Sequence, residues 1–349
     1  MTIEKTLLIV GAGASKEANL PTGYELKKEI ADYLDIRFED GYSRSSGDPI
    51  ITDSLRMQVS KSGDRDINSH LHACWRIRDG LPQAISIDNF IDTHNNDEKI
   101  ELCGKLGIIR AILEAENRSL LNVDKSNIYN KPNFTALEDT WYGNFFKLLT
   151  ENCTIENLEE RLNSIAFIVF NYDRCIEQFL YYSFQNYYGV DTNEAARLVS
   201  IINIFHPYGV VGRLPWQDQF SIEFGGSPDP NRLLDLASQI KTFTEGTDPE
   251  SSEIIAIREC VESAHKVIFL GFAYHKLNLA LIKPENKSEN RADKVSYFGT
   301  AKGISNSDCD HVRKELKDLI GGRQSELYIR NDLLCSSLFS EFGRSLSLS

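Results

Sequence analysis

Five short runs of almost unbroken apolar sequence constrain this chain more than any other feature: Thr6 to Val10, Ile165 to Phe170, Ile201 to Phe205, Val267 to Leu270 and Val295 to Phe298. Each has the length of a strand, and none shows the apolar/polar alternation of a strand with one wet face. Such runs must be buried on both sides. The text between them is helical: Tyr24 to Leu34 repeats apolar residues at every third or fourth position, and a second helix is predicted from Asp173 to Tyr188. Doubly buried strands separated by helices predict an α/β protein with a doubly wound parallel sheet.

The alternation is interrupted after the first strand and helix. Residues 35–83 contain "EDGYSRSSGDPI" and "KSGDRD", rich in Gly, Ser and Asp, and predict loops around a short helix. Residues 84–163 are helical in pattern, with "EKIELCGKLGIIRAILEAENRSL" the clearest amphipathic piece and Pro132 breaking it. The expected organisation is a sheet domain of residues 1–35 and 164–349, with 36–163 as an inserted, mostly helical module. The segment 213–265 is a further stretch rich in helix after Pro230.

Composition excludes several classes. The 349 residues carry 38 basic and 51 acidic side chains, a net charge of −13 spread along the chain, which repels phosphate backbones and argues against nucleic acid as a direct ligand. The seven cysteines include no C-x-x-C pair, so they propose neither a disulfide framework nor a zinc ribbon, and no metal is expected. No stretch approaches the roughly 20 apolar residues of a membrane span. The first residues lack the pattern of a signal peptide, so no membrane association and a cytoplasmic address are expected.

In a doubly wound sheet, ligands bind beyond the carboxyl ends of the strands. Four exits carry informative residues. After the first strand, Gly11-Ala12-Gly13-Ala14-Ser15-Lys16 gives G-x-G, but Lys16 stands where a dinucleotide fingerprint has Gly or Ala, and no acid ends a second strand about 20 residues on. The P-loop pattern is absent as well. Gly11, Ala12, Gly13 and Ser15 suit a diphosphate cradle; a tight turn without ligand is the plainer alternative. After the second run, Asn171 and Asp173 stand two residues apart, spaced to face one pocket or, equally simply, to cap the helix that follows. After the third, Pro207 holds His206 extended and Gly209 permits a turn; His206 is a candidate base near neutral pH or a structural histidine. After the fourth, Gly271 permits close approach of a ligand or of packing backbone.

Taken in order, G-A-G-A-S with N-L-P-T-G, F-N-Y-D, F-H-P-Y-G and F-L-G-F-A-Y resemble the sirtuin-like domains of bacterial antiphage defence proteins, and "SIDNFI" at 86–91 is similar to a segment of that group. The motifs span residues 7 to about 300. The resemblance implies a Rossmann-like domain with an inserted helical module that hydrolyses NAD+ to ADP-ribose and nicotinamide. It maps Asn171 and Asp173 onto the nicotinamide ribose and carboxamide, and His206 onto the family's catalytic histidine. Gly11, Ala12, Gly13 and Ser15 then carry the diphosphate, with Pro21 and Thr22 in the loop beside it and Gly271 and Phe272 near the adenosine.

Two departures from the family pattern bear on function. Protein deacetylases of this type hold a structural zinc on paired C-x-x-C motifs, which are missing, and His206 is followed by Pro207 rather than Gly. Simple glycohydrolysis is expected over deacylation. Nicotinamide leaves as a neutral ring, so the site needs no general acid; it needs a dry pocket and an electrostatic partner for the cationic ribose. Asp173 is expected to supply that field or to hold the carboxamide, Asn171 to position water against C1′ and the ribose hydroxyls, and His206 to accept a proton from a ribose hydroxyl or the water. An NAD-dependent deacylase and a non-catalytic NAD or ADP-ribose sensing module remain alternatives, and a dehydrogenase is disfavoured by Lys16. Because unrestrained NAD+ loss is toxic, the resemblance also implies gating, a homo-oligomer, and a ring-shaped DNA-translocating ATPase of the HerA type as partner.

Overall fold

The computed structural model describes residues 4–41, 43–61, 63, 66–123, 131–219, 221–242, 245, 251–284, 292–320 and 322–348. Within them, six strands form one sheet in which every neighbouring pair is parallel: β1 (Thr6–Val10), β4 (Ile165–Val169), β5 (Asn203–Phe205), β6 (Lys266–Leu270), β7 (Lys294–Thr300) and β8 (Gln324–Arg330). A separate antiparallel pair, β2 (Arg37–Glu39) and β3 (Ser43–Ser46), lies outside it. The spatial order is β5-β4-β1-β6-β7-β8. Counted along the chain within the sheet, this is 3-2-1-4-5-6, the order of a Rossmann-like doubly wound fold.

Alternation within each strand explains the two covered faces. Leu8 and Val10 of β1 join Phe167, Val169, Ile268 and Leu270 in a core closed by the helices Trp141–Thr150, Cys175–Tyr188, Thr192–Ile201 and Cys335–Phe342. Leu7 and Ile9 face the other way, with Val267, Phe269, Val295 and Tyr297, under the helices Ser252–Ser263, Lys276–Ile282 and Asn306–Ile320. A third core is mostly helical, with Tyr172, Tyr208, Val211 and Ile222 joining it from loops. It gathers Leu26, Ile30 and Leu34 of the helix Gly23–Leu34 with the helices Pro49–Lys61, Asn68–Gly80, Ile87–Thr93, Glu98–Arg118 and Pro230–Ala237.

The helical layer therefore draws on residues before 36 and after 163, while the Trp141–Thr150 and Ile155–Leu162 helices pack onto the sheet. One buried ion pair fastens the layers. Arg174, beyond the end of β4, is 1% exposed and donates through Nε to Glu116 Oε1 at 3.1 Å, while Nη1 and Nη2 donate to the carbonyls of Ile222 (2.7 Å) and Glu223 (3.1 Å). Glu116, on the long Glu98–Arg118 helix, also accepts from Gly225 N at 2.9 Å.

Several local expectations change. The Ile201–Phe205 run divides: Ile201 closes the Thr192–Ile201 helix, whose buried Ala195, Leu198 and Val199 share one face, and only Asn203–Phe205 is strand. The helix expected from Asp173 starts at Cys175, because Asp173 Oδ1 accepts the Cys175 amide (3.1 Å) and the Arg174 backbone amide donates to Glu116. Residues 35–83 hold two helices of 13 residues each; Asp48 Oδ1 accepts the Ile51 amide at the start of the first, and the inward residues Ile51, Leu55 and Val59 are diluted by polar outward ones. Residues 62, 64 and 65 of "KSGDRD" lie outside the described residues. Finally, β8 has no apolar run to announce it: as an edge strand it buries only Ile329.

Candidate active site

The sheet register sets the exits of its three central strands at one level. Val10 pairs with Val169 on one side and Leu270 on the other, so Gly11, Phe170 and Gly271 emerge side by side. The order of strands reverses at β1, which is where ligands sit in open α/β sheets.

The glycines at this level have a definite task. Gly11 N donates to Leu270 O (2.9 Å) and Gly13 N to Gly271 O (3.1 Å). A Cβ on Gly11 would lie 2.6 Å from Gly271 O, and one on Gly271 would lie 2.0 Å from Ala14 N. Gly271 also has φ +54°, in the left-handed region. The two loops thus pack main chain on main chain, and the amides of Gly11 and Gly13 are engaged with the β6 exit rather than turned toward a ligand.

The rest of the turn is clamped from outside. Trp141 Nε1 donates to Ala14 O (3.0 Å), and the Glu17 carboxylate accepts from the amides of Trp141 (2.7 Å) and Ser336 (2.9 Å) at the starts of two helices. Lys16, the departure from the dinucleotide fingerprint, is exposed and pairs with Glu25 at 2.6 Å. Glu25 in turn accepts from the Thr22 amide (2.8 Å) in a capping box at the start of the Gly23–Leu34 helix, and together these hydrogen bonds hold its carboxyl down at about 2. Thr22 is therefore a helix cap, and half-buried Pro21 leads into it.

Beside the glycine turn lies a cavity of about 480 Å³, within the size range of small-molecule sites. Gly11, Ala12, Gly13, Thr22, Gly271 and Phe272 line it together with Phe170 and Tyr208. Its opposite wall is Asp88 and Asp92 of the Ile87–Thr93 helix, with Ile85 and Leu277 at the rim. The Tyr172 hydroxyl donates to Asp88 Oδ1, and loss of solvent there pushes the Asp88 carboxyl up to about 7. A carboxyl poised near neutrality in a cleft is a mark of functional sites. The residue types alone do not single out Asp88 or Asp92; the "SIDNFI" similarity covers Asp88 and stops one residue short of Asp92.

Behind the turn, Ser15, Asn171 and Asp173 form one buried cluster across more than 150 residues of sequence. Ser15 Oγ donates to Asp173 Oδ2 (2.8 Å), and Asn171 Nδ2 donates to Ser15 Oγ (3.1 Å). Because the single Ser15 proton goes to Asp173, Ser15 can only accept from Asn171, which fixes the amide orientation. Asn171 Oδ1 is then left buried without a partner. A buried, unpaired acceptor costs about 1–3 kcal/mol, so its retention calls for a reason. Asp173 accepts the Cys175 amide with Oδ1 and the Ser15 hydroxyl with Oδ2.

His206 stands next to this cluster but opens elsewhere. Its Nδ1 lies 3.3 Å from the main-chain oxygen of Asn171 and its Nε2 2.9 Å from Glu177 Oε1. Burial works against a charged imidazole, yet the Glu177 carboxylate outweighs it: the pKa of His206 is raised and that of Glu177 lowered. An oxygen acceptor lies at each ring nitrogen, an arrangement that favours the protonated imidazole. It lines a second cavity of about 900 Å³ along the β5 edge, shared with Arg197, Arg213 and Trp216, and not the one beside the glycines. The expected site residues thus divide into a cavity wall (Gly11, Ala12, Gly13, Thr22, Gly271, Phe272), a buried trio (Ser15, Asn171, Asp173) that, like Pro21, is in the lining of neither cavity, and His206, paired with Glu177, in the second cavity.

Scans of protein families and of curated proteins find no match to this chain. Among the described residues, no group of three or more His, Cys, Asp or Glu side chains is arranged to hold a metal ion, and no helix is long and apolar enough to cross a membrane.

Proposed function

We propose that this chain is an NAD+ glycohydrolase, cleaving NAD+ to ADP-ribose and nicotinamide. One observation carries the reading: at the point where the strand order reverses, the 480 Å³ cavity lies against the glycine turn, and Ser15 ties that turn to a buried Asn171–Asp173 pair with an unsatisfied carbonyl. The resemblance to sirtuin-like defence domains supports the same substrate.

In this reading the C1′–N1 bond breaks, its electron pair leaves with the neutral pyridine ring, and a water oxygen bonds to C1′. Asn171 Oδ1 holds that water or a ribose hydroxyl, filling its vacant acceptor role. Asp173 supplies the negative field for the cationic ribose and takes the released proton through the Ser15 hydroxyl. His206, whose charged form the Glu177 carboxylate favours, holds the Asn171 backbone in place rather than acting as the base. By the same resemblance we assign the activity to NAD+ depletion in antiphage defence, by a homo-oligomer working with a HerA-type ATPase.

The test is chromatography of nicotinamide and ADP-ribose after incubation with NAD+, with and without an acetyl-lysine peptide. Nicotinamide release without peptide, abolished in Asn171→Ala with the fold intact by circular dichroism, is expected. Release only with peptide would make the protein a deacylase, and NAD+ bound but intact would make it a sensing module.

A further inference from the structure

The wall of the cavity facing the glycine turn is built from the inserted helices, and its chemistry differs from that of the turn. Asp88 and Asp92 stand one helical turn apart on Ile87–Thr93 and line the cavity together. Ile85, 70% exposed, and Leu277, 51% exposed, are among the most exposed large apolar side chains described, and both sit at this rim. They come from different parts of the chain, one before the Ile87–Thr93 helix and the other on the helix that follows β6. Large apolar side chains held in water beside a cleft mark a surface that something covers.

In a Rossmann-like sheet, an acid near the end of the second strand usually accepts hydrogen bonds from the ribose diol. Here that strand is β4, and the Asp173 that follows it has its carboxylate oxygens hydrogen-bonded to Ser15 Oγ and Cys175 N. The position is filled by a different task. Asp88 and Asp92 bring carboxylates to the same cavity from the other side, and a carboxylate accepts two adjacent hydroxyls with ease. Lys276 lines the cavity as well and offers a counter-charge to a diphosphate.

We infer that Asp88 and Asp92, with the apolar rim of Ile85 and Leu277, form the nucleoside subsite of this cavity: the rim covers the faces of a flat base and the carboxylates select a free ribose 2′-hydroxyl over a 2′-phosphate. The inference rests on the dinucleotide reading of the cavity and deepens it. A 2′-phosphate brings a second multiply charged anion against Asp92 and the partly ionised Asp88, and like charges brought together are rejected. The Tyr172 hydroxyl donates to Asp88, and Asp92, one turn on, lines the same cavity.

The test is calorimetric titration with ADP-ribose and with its 2′-phosphorylated form, neither of which the proposed reaction consumes. The wild-type protein is expected to prefer ADP-ribose by on the order of a hundredfold. Asp92→Asn, which keeps the size of the side chain and removes its charge, is expected to shrink that preference by roughly tenfold, chiefly by improving binding of the phosphorylated ligand. Equal binding of the two ligands by wild type overturns the inference without any variant, and leaves the NAD+ reading standing if nicotinamide is still released. A preference unchanged in a folded Asp92→Asn protein also overturns it. Failure of the protein to bind either ligand overturns the inference and the dinucleotide reading together.

Discussion

Replacing Gly271 by Ala tests whether the glycine turn and the β6 exit are one packed unit. Alanine at φ +54° carries the left-handed penalty of roughly 1–2 kcal/mol. Its Cβ would also lie 2.0 Å from Ala14 N and 2.3 Å from the Gly13 carbonyl carbon, both main-chain atoms that no rotamer change can move aside. One loop must shift against the other, and overpacking of this kind costs roughly 1–3 kcal/mol. Together the expected destabilisation is roughly 2–5 kcal/mol. Gly23→Ala is the control: Gly23 opens its helix with nothing within 4 Å of the place a methyl would take, so alanine is expected to be neutral or stabilising by up to about 1 kcal/mol. Urea unfolding followed by far-ultraviolet circular dichroism reads both. Because Ser15 follows directly on the displaced turn, Gly271→Ala is also expected to lose NAD+ turnover below its unfolding midpoint. A Gly271→Ala protein within about 0.5 kcal/mol of wild type would refute the packing argument.

Two other perturbations follow from the buried charges. Glu116→Gln leaves the Arg174 guanidinium buried without its counter-charge and is expected to cost roughly 3–5 kcal/mol in urea unfolding; Glu116→Met with Arg174→Met is expected to recover part of that loss, and a fully additive double variant would show that the pair is not coupled. For His206 and Glu177, the raised histidine contributes stability that is complete below the ordinary histidine value of 6.5 and fades as pH rises through the folded value. The lowered carboxylate contributes stability that is complete above its ordinary 4.5 and fades as pH falls through its folded value. The pair is therefore fully effective between 4.5 and 6.5, and Glu177→Gln is expected to flatten the pH dependence of unfolding and to bring the His206 titration, followed by NMR, below that of an ordinary histidine. An unchanged titration would separate the two residues.

What is legible in the sequence follows from how each feature is buried. β1, β4, β6 and β7 lie inside the sheet, so burial on both faces writes them as apolar runs, and the parallel doubly wound class follows from those runs alone. β8 is covered less and reads as "QSELYIR", with one buried residue in seven, so periodicity has nothing to report there. The glycine turn shows a subtler limit. A glycine in the sequence states that a side chain is unwelcome, but not what occupies the space; for Gly11 and Gly13 the backbone of the β6 exit, some 260 residues away, fills the place a Cβ would take. The sequence likewise does not reveal that the two oxygens of Asp173 serve the Cys175 amide and the Ser15 hydroxyl separately. The sequence does not reveal the partner of His206: Glu177, on the Cys175–Tyr188 helix, lies 2.9 Å from its Nε2 and raises its pKa. The acids at Asp88 and Asp92 are hidden for the opposite reason. On a short amphipathic helix in the inserted segment they look like an ordinary solvated face, and only the return of that helix over the β1 exit makes them the polar wall of the cavity.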